Sequence, residues 1–307
     1  MELHSKHHHI DTALLFGLAV LSVVALSNIS KPILRLHTAI VNKIITMEQE
    51  EKVLFNADAF SDVSITGKAY VVYDIVDNKI ISSKNATTTL PLASITKVMT
   101  AFTAYSHLHK DTYITISPSS IDDDYDLGLR KGQSWKLNEL LKYTLVFSSN
   151  DGAQAIADSI GRSMFVNDMN QDALSLGLNL HFTQPAGLDE NGKIGGLGTA
   201  LDIAKLFAAA RKQFPEILDA TTKARANVFT STGSLNGIPN TNQVVTTFSG
   251  IEASKTGFTD LAGGNLAVIA DITIGHPVVI VVLGSTREDR FTDVEKLYSA
   301  LQKSIAR

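Results

Sequence analysis

Apolar and polar positions alternate along this chain in several distinct rhythms. Over residues 12–29 (TALLFGLAVLSVVALSNI) no charge occurs, a run of roughly 18 residues, near the lower limit for a bilayer-spanning helix. Ile33, Leu36, Ile40, Val41, Ile44 and Ile45 then recur at helical spacing ahead of Glu48, Glu50 and Glu51, the pattern of an amphipathic stalk. From about Val63 the rhythm changes. Residues 66–75 and 79–82 are β-rich runs parted by Asp77-Asn78, a hairpin turn by composition. Pro91 precedes a long helical run, residues 111–118 are β-like, and 121–132 form a polar loop with Asp122, Asp123 and Asp124. Helical periodicity covers 137–147, 152–160, 165–176 and 199–213, the last with Asp202 near its start. Two strong strands follow at 264–272 and 277–283, then a helix over 291–305 carrying Val294, Leu297 and Leu301 on one face.

Strands at both ends with helices between them predict an α+β domain. Its antiparallel sheet draws on distant parts of the chain, the intervening helices form a second lobe, and a cleft lies between the two. Residues 1–30 are a polar tail and an apolar segment, 31–62 a stalk, and 63–307 the globular domain. The apolar segment reads as an uncleaved anchor or as a signal peptide, for which Ala25 and Ser27 are small residues two apart. Lys31, Arg35 and Lys43 follow it and only Lys6 precedes it, so charge counting places its C-terminal side inside.

Composition narrows the functions. The 307 residues are 44% hydrophobic and 19% charged, enough for a sizeable core. A net charge of −4 without a basic block argues against nucleic acid as a partner. The absence of cysteine excludes disulfides, thiolate metal sites and cysteine nucleophiles, and leaves the redox compartment open. His4, His7, His8 and His9 lack a carboxylate partner and read as a solvated tail rather than a metal site, and the three aspartates as a solvated loop.

Three short motifs carry chemistry. In Ser94-Ile95-Thr96-Lys97 a hydroxyl and an amine three apart share one helix face, a nucleophile beside a base provided the amine is neutral. Unpaired N–H groups of that helix start face any negative charge forming near Ser94. Ser148-Ser149-Asn150 lies between two helical patterns, where a hydroxyl and an amide two apart can point the same way; Ser and Asn also cap helices. Lys255-Thr256-Gly257 precedes a strand and offers a positive charge and a hydroxyl to a carboxylate, with glycine permitting close approach to the backbone. Alone each motif is common; in this order they are not.

The ordered set S-x-x-K, S-x-N, K-T-G resembles that of the serine D-alanyl-D-alanine carboxypeptidases, the low-molecular-mass penicillin-binding proteins. The resemblance runs from about Val63 to Ser304 and includes residues 182–189, Asn240-Thr241-Asn242 and 262–266. It implies a β-lactamase/DD-peptidase-like fold with the active site in the cleft. Ser94 resembles the acylated nucleophile, Lys97 its base, Ser148 the proton relay to the leaving amine, and Asn150 the residue holding Lys97 and the substrate amide. Lys255 and Thr256 resemble the groups facing the substrate carboxylate. The implied oxyanion donors are the backbone N–H groups of Ser94 and Phe258, just after Gly257. An arginine before the last helix assists the carboxylate in this family; Arg290 is the best match, with Arg287 close by. As base, Lys97 needs a pKa well below its ordinary value, towards which burial and the Lys255 charge both act.

The resemblance implies peptidoglycan stem peptides as substrate, β-lactams as inhibitors, no metal or organic cofactor, and a catalytic domain outside the cytoplasmic membrane, held by the N-terminal segment. That orientation opposes the charge count, and large domains translocate regardless of charge. No β-rich domain or C-terminal anchor of the kind many relatives carry is evident, and Ser149 replaces the motif's central residue. Carboxypeptidase action competes with DD-endopeptidase action on cross-links, and a non-catalytic wall-binding scaffold is the reading from another class. A β-lactamase is disfavoured because no E-x-x-L-N segment follows Asn150.

Overall fold

The computed structural model describes residues 53–121 and 128–305. The apolar segment, most of the stalk and Asp122–Asp124 lie outside the described residues.

In chain order the strands are β1 (Ala69–Asp74), β2 (Lys79–Lys84), β3 (Leu90–Pro91), β4 (Tyr113–Thr115), β5 (Ser134–Lys136), β6 (His181–Phe182), β7 (Gly196–Gly198), β8 (Arg225–Thr230), β9 (Gly233–Pro239), β10 (Ile251–Thr259), β11 (Gly263–Asp271) and β12 (Pro277–Ser285). The helices are α1 (Thr96–His107), α2 (Leu137–Val146), α3 (Asn150–Ile160), α4 (Arg162–Ser175), α5 (Ala200–Gln213), α6 (Pro215–Ala220) and α7 (Asp289–Ser304). Five strands form one antiparallel sheet in the order β10-β11-β12-β1-β2. Strands from both ends of the described domain thus meet in the sheet, and the helices between them build the second lobe, as the order of elements predicts.

The central strands are apolar at nearly every position because helices cover both faces of the sheet. Val71, Ile269, Val279 and Val281 point into the larger core, shared with the helical lobe; Val72, Val268, Ile280 and Val282 point into a smaller core closed by α7. That helix buries Val294, Leu297, Tyr298 and Leu301 at three- and four-residue spacing. Buried Asp293 locks the joint by accepting hydrogen bonds from the Thr66 and Gly67 N–H groups at 3.0 and 2.9 Å and from Ser285 Oγ at 2.6 Å.

The compact unit begins before Val63, at Leu54. Phe55 bridges Ile305, the Asn56 N–H donates to the Ser304 carbonyl at 2.7 Å, and Phe60 enters the smaller core. The end of the stretch read as stalk is therefore part of the folded domain. Besides the short strands β3, β5, β6 and β7, the β8–β9 hairpin, the short helix α6 and β10, which extends the K-T-G segment into a full edge strand, had no clear periodicity to announce them.

Candidate active site

Pro91 ends the two-residue strand β3, and a 3-10 turn over Ala93–Ile95 leads into α1. Ser94 thus sits on the turn rather than in the helix, and Ala93 is held at φ 49°. Such a φ is strained for alanine. What holds it is close packing: a Cβ on Gly187 would come within 2.0 Å of the Ala93 carbonyl oxygen, and one on Gly257 within 2.8 Å of the Leu92 carbonyl oxygen. Asn265 Nδ2 adds hydrogen bonds to the Pro91 and Leu92 carbonyls, each 3.0 Å, while its Oδ1 accepts from the Gly284 N–H at 2.8 Å.

Past that turn the first six residues of α1 are all buried, and Lys97 among them is 0% exposed. Its Nζ lies 2.8 Å from Ser94 Oγ, 2.7 Å from Asn150 Oδ1 and 2.8 Å from the Ala186 carbonyl oxygen. Two of these three neighbours can only accept. For a neutral amine at this place the two N–H bonds would go to those acceptors and the lone pair to the Ser94 hydroxyl, the arrangement a base requires. The Ala186 carbonyl is fixed in turn: the Ala186 N–H donates to Gln184 Oε1 at 2.9 Å, and Thr100, one turn beyond Lys97 on α1, donates to the Pro185 carbonyl at 2.6 Å.

On the opposite wall, α2 ends at Val146 and α3 starts at Asn150. Ser149 is the helix cap, accepting from the Gly152 N–H at 2.7 Å; Ser148, at φ 65°, is turned away from that role. Lys255 Nζ donates to Ser148 Oγ at 2.7 Å and to the Thr256 carbonyl at 2.9 Å. Lys255 is 2% exposed, and burial, then the charges of Lys97 and Arg290, hold its pKa well below the usual lysine value. Thr256 Oγ1 donates to Thr241 Oγ1 at 2.7 Å. Arg290, buried as the second residue of α7, donates from Nη1 to the Gly257 carbonyl at 2.8 Å, whereas exposed Arg287 lies 4.8 Å from the Phe258 ring centroid. A cleft of about 1030 Å³ opens beside the site, lined in part by Asn150, Gln154, Leu188, Phe258 and Asp260.

A serine and an asparagine on one buried lysine, with a second serine on another lysine nearby, are suited to acyl transfer by a serine nucleophile, an adjacent base and a cation for an anionic substrate. Residues 56–287 match the D-alanyl-D-alanine carboxypeptidase family of S11 peptidases. The chain belongs to that family. As an S11 DD-peptidase it is a serine-type hydrolase of peptidoglycan peptides. It is 30% identical to a D-alanyl-D-alanine endopeptidase of Pseudomonas aeruginosa over 74% of each chain. It is 31% identical to the D-alanyl-D-alanine carboxypeptidase DacC of Escherichia coli over 76% of this chain and 60% of the relative. Penicillin-binding protein D2 of Listeria monocytogenes, solved with ampicillin bound, superposes with a TM-score of 0.68 at 29% identity, covering 78% of this chain and 99% of that one.

In this DD-peptidase the fold joins Ser94, Lys97 and Asn150 in one hydrogen-bonded group and Ser148 and Lys255 in another. Arg290 differs in its aim, since its donor faces the backbone of β10. Two further participants escape a motif reading. The Ala186 carbonyl has no side-chain signature, although residues 182–189 stand out as a family-like stretch. Thr241 lies in Asn240-Thr241-Asn242, a run whose place beside Thr256 depends on the connection from β9 to β10.

Proposed function

We propose that the chain is a serine D-alanyl-D-alanine carboxypeptidase that releases the terminal D-alanine of peptidoglycan stem peptides through an acyl-enzyme on Ser94. The observation that carries this reading is Lys97 Nζ, 2.8 Å from Ser94 Oγ and held as well by two carbonyl acceptors, Asn150 Oδ1 and the Ala186 carbonyl. Lys97 takes the Ser94 proton as Oγ attacks the carbonyl between the two D-alanines. Negative charge gathers on the carbonyl oxygen, where the N–H groups of Ser94 and Phe258 stabilise it; one such donor is typically worth about 3–4 kcal/mol. The C–N bond breaks, Ser148 protonates the departing amine, and the net movement carries the serine proton to the free D-alanine. Water repeats the sequence on the ester and restores Ser94. Asn150 holds Lys97 through Oδ1 and turns its amide N–H groups to the substrate backbone. Lys255 and Thr256 take the terminal carboxylate.

The test is intact mass after exposure to a penicillin, which presents a strained amide and a carboxylate to the same groups. The wild-type chain gains one drug mass and Ser94→Ala gains none. An adduct surviving in Ser94→Ala would remove Ser94 from its role.

A second reading, DD-endopeptidase action on cross-links, is favoured by the Pseudomonas relative and by the roughly 1030 Å³ cleft beside the nucleophile. Free D-alanine from a pentapeptide, against monomers from cross-linked dimers, separates the two. We further propose that residues 12–29 anchor the chain in the cytoplasmic membrane with the catalytic domain outside, which the substrate requires. In cell fractionation the full chain sediments with membranes and one lacking residues 1–52 does not; membrane release of the full chain overturns the anchor.

A further inference from the structure

The Gly257–Phe258 peptide is gripped from one side by a buried cation. Arg290 Nη1 donates to the Gly257 carbonyl oxygen at 2.8 Å, in a contact closed to solvent. No described peptide bond is cis, so the Phe258 N–H points opposite to that carbonyl, away from Arg290. The same peptide unit lies against the nucleophile turn, where a Cβ on Gly257 would sit 3.3 Å from the Ala93 Cβ and 2.8 Å from the Leu92 carbonyl oxygen. A guanidinium therefore stands at the carbonyl end of the peptide whose amide end serves the oxyanion.

Arg290 is held for this contact. Its guanidinium carbon is 4.7 Å from the Phe291 ring centroid, only 8% of the residue is exposed, and Nε has no hydrogen-bond partner. Burial first, then the Arg287 charge, bring its pKa down to about 10, which still leaves it cationic at neutral pH. A desolvated cation paired with a peptide dipole, rather than a carboxylate, fixes the plane of that peptide. It also draws electron density toward the carbonyl oxygen and strengthens the N–H at the other end as a donor.

We propose that Arg290 sets the oxyanion hole from behind, orienting and polarising the Gly257–Phe258 peptide, and acts on the reaction through Phe258 N–H rather than by touching the substrate carboxylate. This rests on Ser94 as the nucleophile and deepens that reading. Arg290 is then a positioning residue.

The test compares wild type with Arg290→Met, which keeps a long stem and removes the donors, and with Arg290→Lys, which keeps charge but not the fork. Three quantities are read: the number of penicillin adducts per chain, the acylation rate constant, and the affinity for an acylaminomethyl boronic acid. The boronic acid forms a tetrahedral adduct with serine and has no carboxylate. Full adduct stoichiometry in the variants shows an intact fold. The expected result is an acylation rate constant lowered about 10- to 100-fold in Arg290→Met, with boronic acid affinity lowered by a similar factor. Arg290→Lys lies between wild type and Met, with half-saturating penicillin concentration nearly unchanged. Should Arg290→Met fail to fold, Arg290→Lys carries the same comparison. Unchanged boronic acid affinity beside weakened penicillin binding would overturn the proposal and return Arg290 to the carboxylate. Absence of any adduct on the wild-type chain would instead remove Ser94 as nucleophile, and this role with it.

Discussion

At the residue scale the site holds two buried lysines in different surroundings. Lys97 Nζ lies within hydrogen-bond distance of Ser94 Oγ, Asn150 Oδ1 and the Ala186 carbonyl, and replacing it with Met removes the proposed base and its donors to the last two. Positioned bases contribute about 10²- to 10⁴-fold, so Lys97→Met is expected to lower the penicillin acylation rate by that range in a stopped-flow measurement. Lys255 is different: its pKa is depressed, chiefly by burial, so its charge weighs against the fold. Below its shifted pKa both states are protonated and the folded chain bears the whole penalty. As pH rises from that value toward the ordinary lysine pKa, the unfolded chain holds the proton and the folded one does not, so stability rises with pH. Lys255→Met therefore should melt higher than wild type near neutral pH, with the gain shrinking as pH climbs through that window. Its turnover of a carboxylate-bearing substrate should drop about 10- to 100-fold, the worth of a charge-assisted contact. Thermal melts from pH 7 to 10 check the sign.

Between elements, the active site depends on joints that place backbone rather than side chains. Gly187, at φ 75°, lets residues 184–188 lie on the Ala93 carbonyl and presents Ala186 to Lys97. Gly187→Ala meets both the positive φ and a 2.0 Å overlap with that carbonyl. A loss of about 2–4 kcal/mol is expected, with slowed acylation as the Ala186 carbonyl shifts from the lysine. Asp293 is the corresponding joint behind the sheet, tying the loop before β1 and the end of β12 to α7. Asp293→Ala strands the buried Gly67 N–H and should cost about 3 kcal/mol in denaturant unfolding. The helix cap at Ser149 was readable from residue type, and it leaves Ser148 and Asn150 free for the cleft; the left-handed turn at Ser148 that aims the hydroxyl was not.

Across the whole molecule, the N-terminal boundary has an energetic consequence. Phe60 is 6% exposed in the smaller core and Asn56 is bonded to the end of α7. A chain starting at residue 63 should lose about 1.5–3 kcal/mol relative to one starting at 54, from the apolar area of Phe60 alone. Equal melting temperatures would place residues 54–62 outside the cooperative unit. The choice between terminal D-alanine and cross-link also belongs to this scale, because it turns on the shape of the cleft around a longer leaving group rather than on the reacting atoms.

The sequence by itself determined the α+β class, the sheet assembled from both ends, and the three chemical motifs. Each is written in local spacing: alternation or helical periodicity for the elements, three residues for S-x-x-K, two for S-x-N, three in a row for K-T-G. Tertiary structure decided what periodicity cannot encode. The Ala186 carbonyl reaches Lys97 across 89 positions and Lys255 reaches Ser148 across 107, and neither contact leaves a trace in nearby residues. Arg290 faces a peptide carbonyl because α7 packs behind β11 and β12. The type of a residue is local information, but its target is set by which strands and helices the folded core presses together.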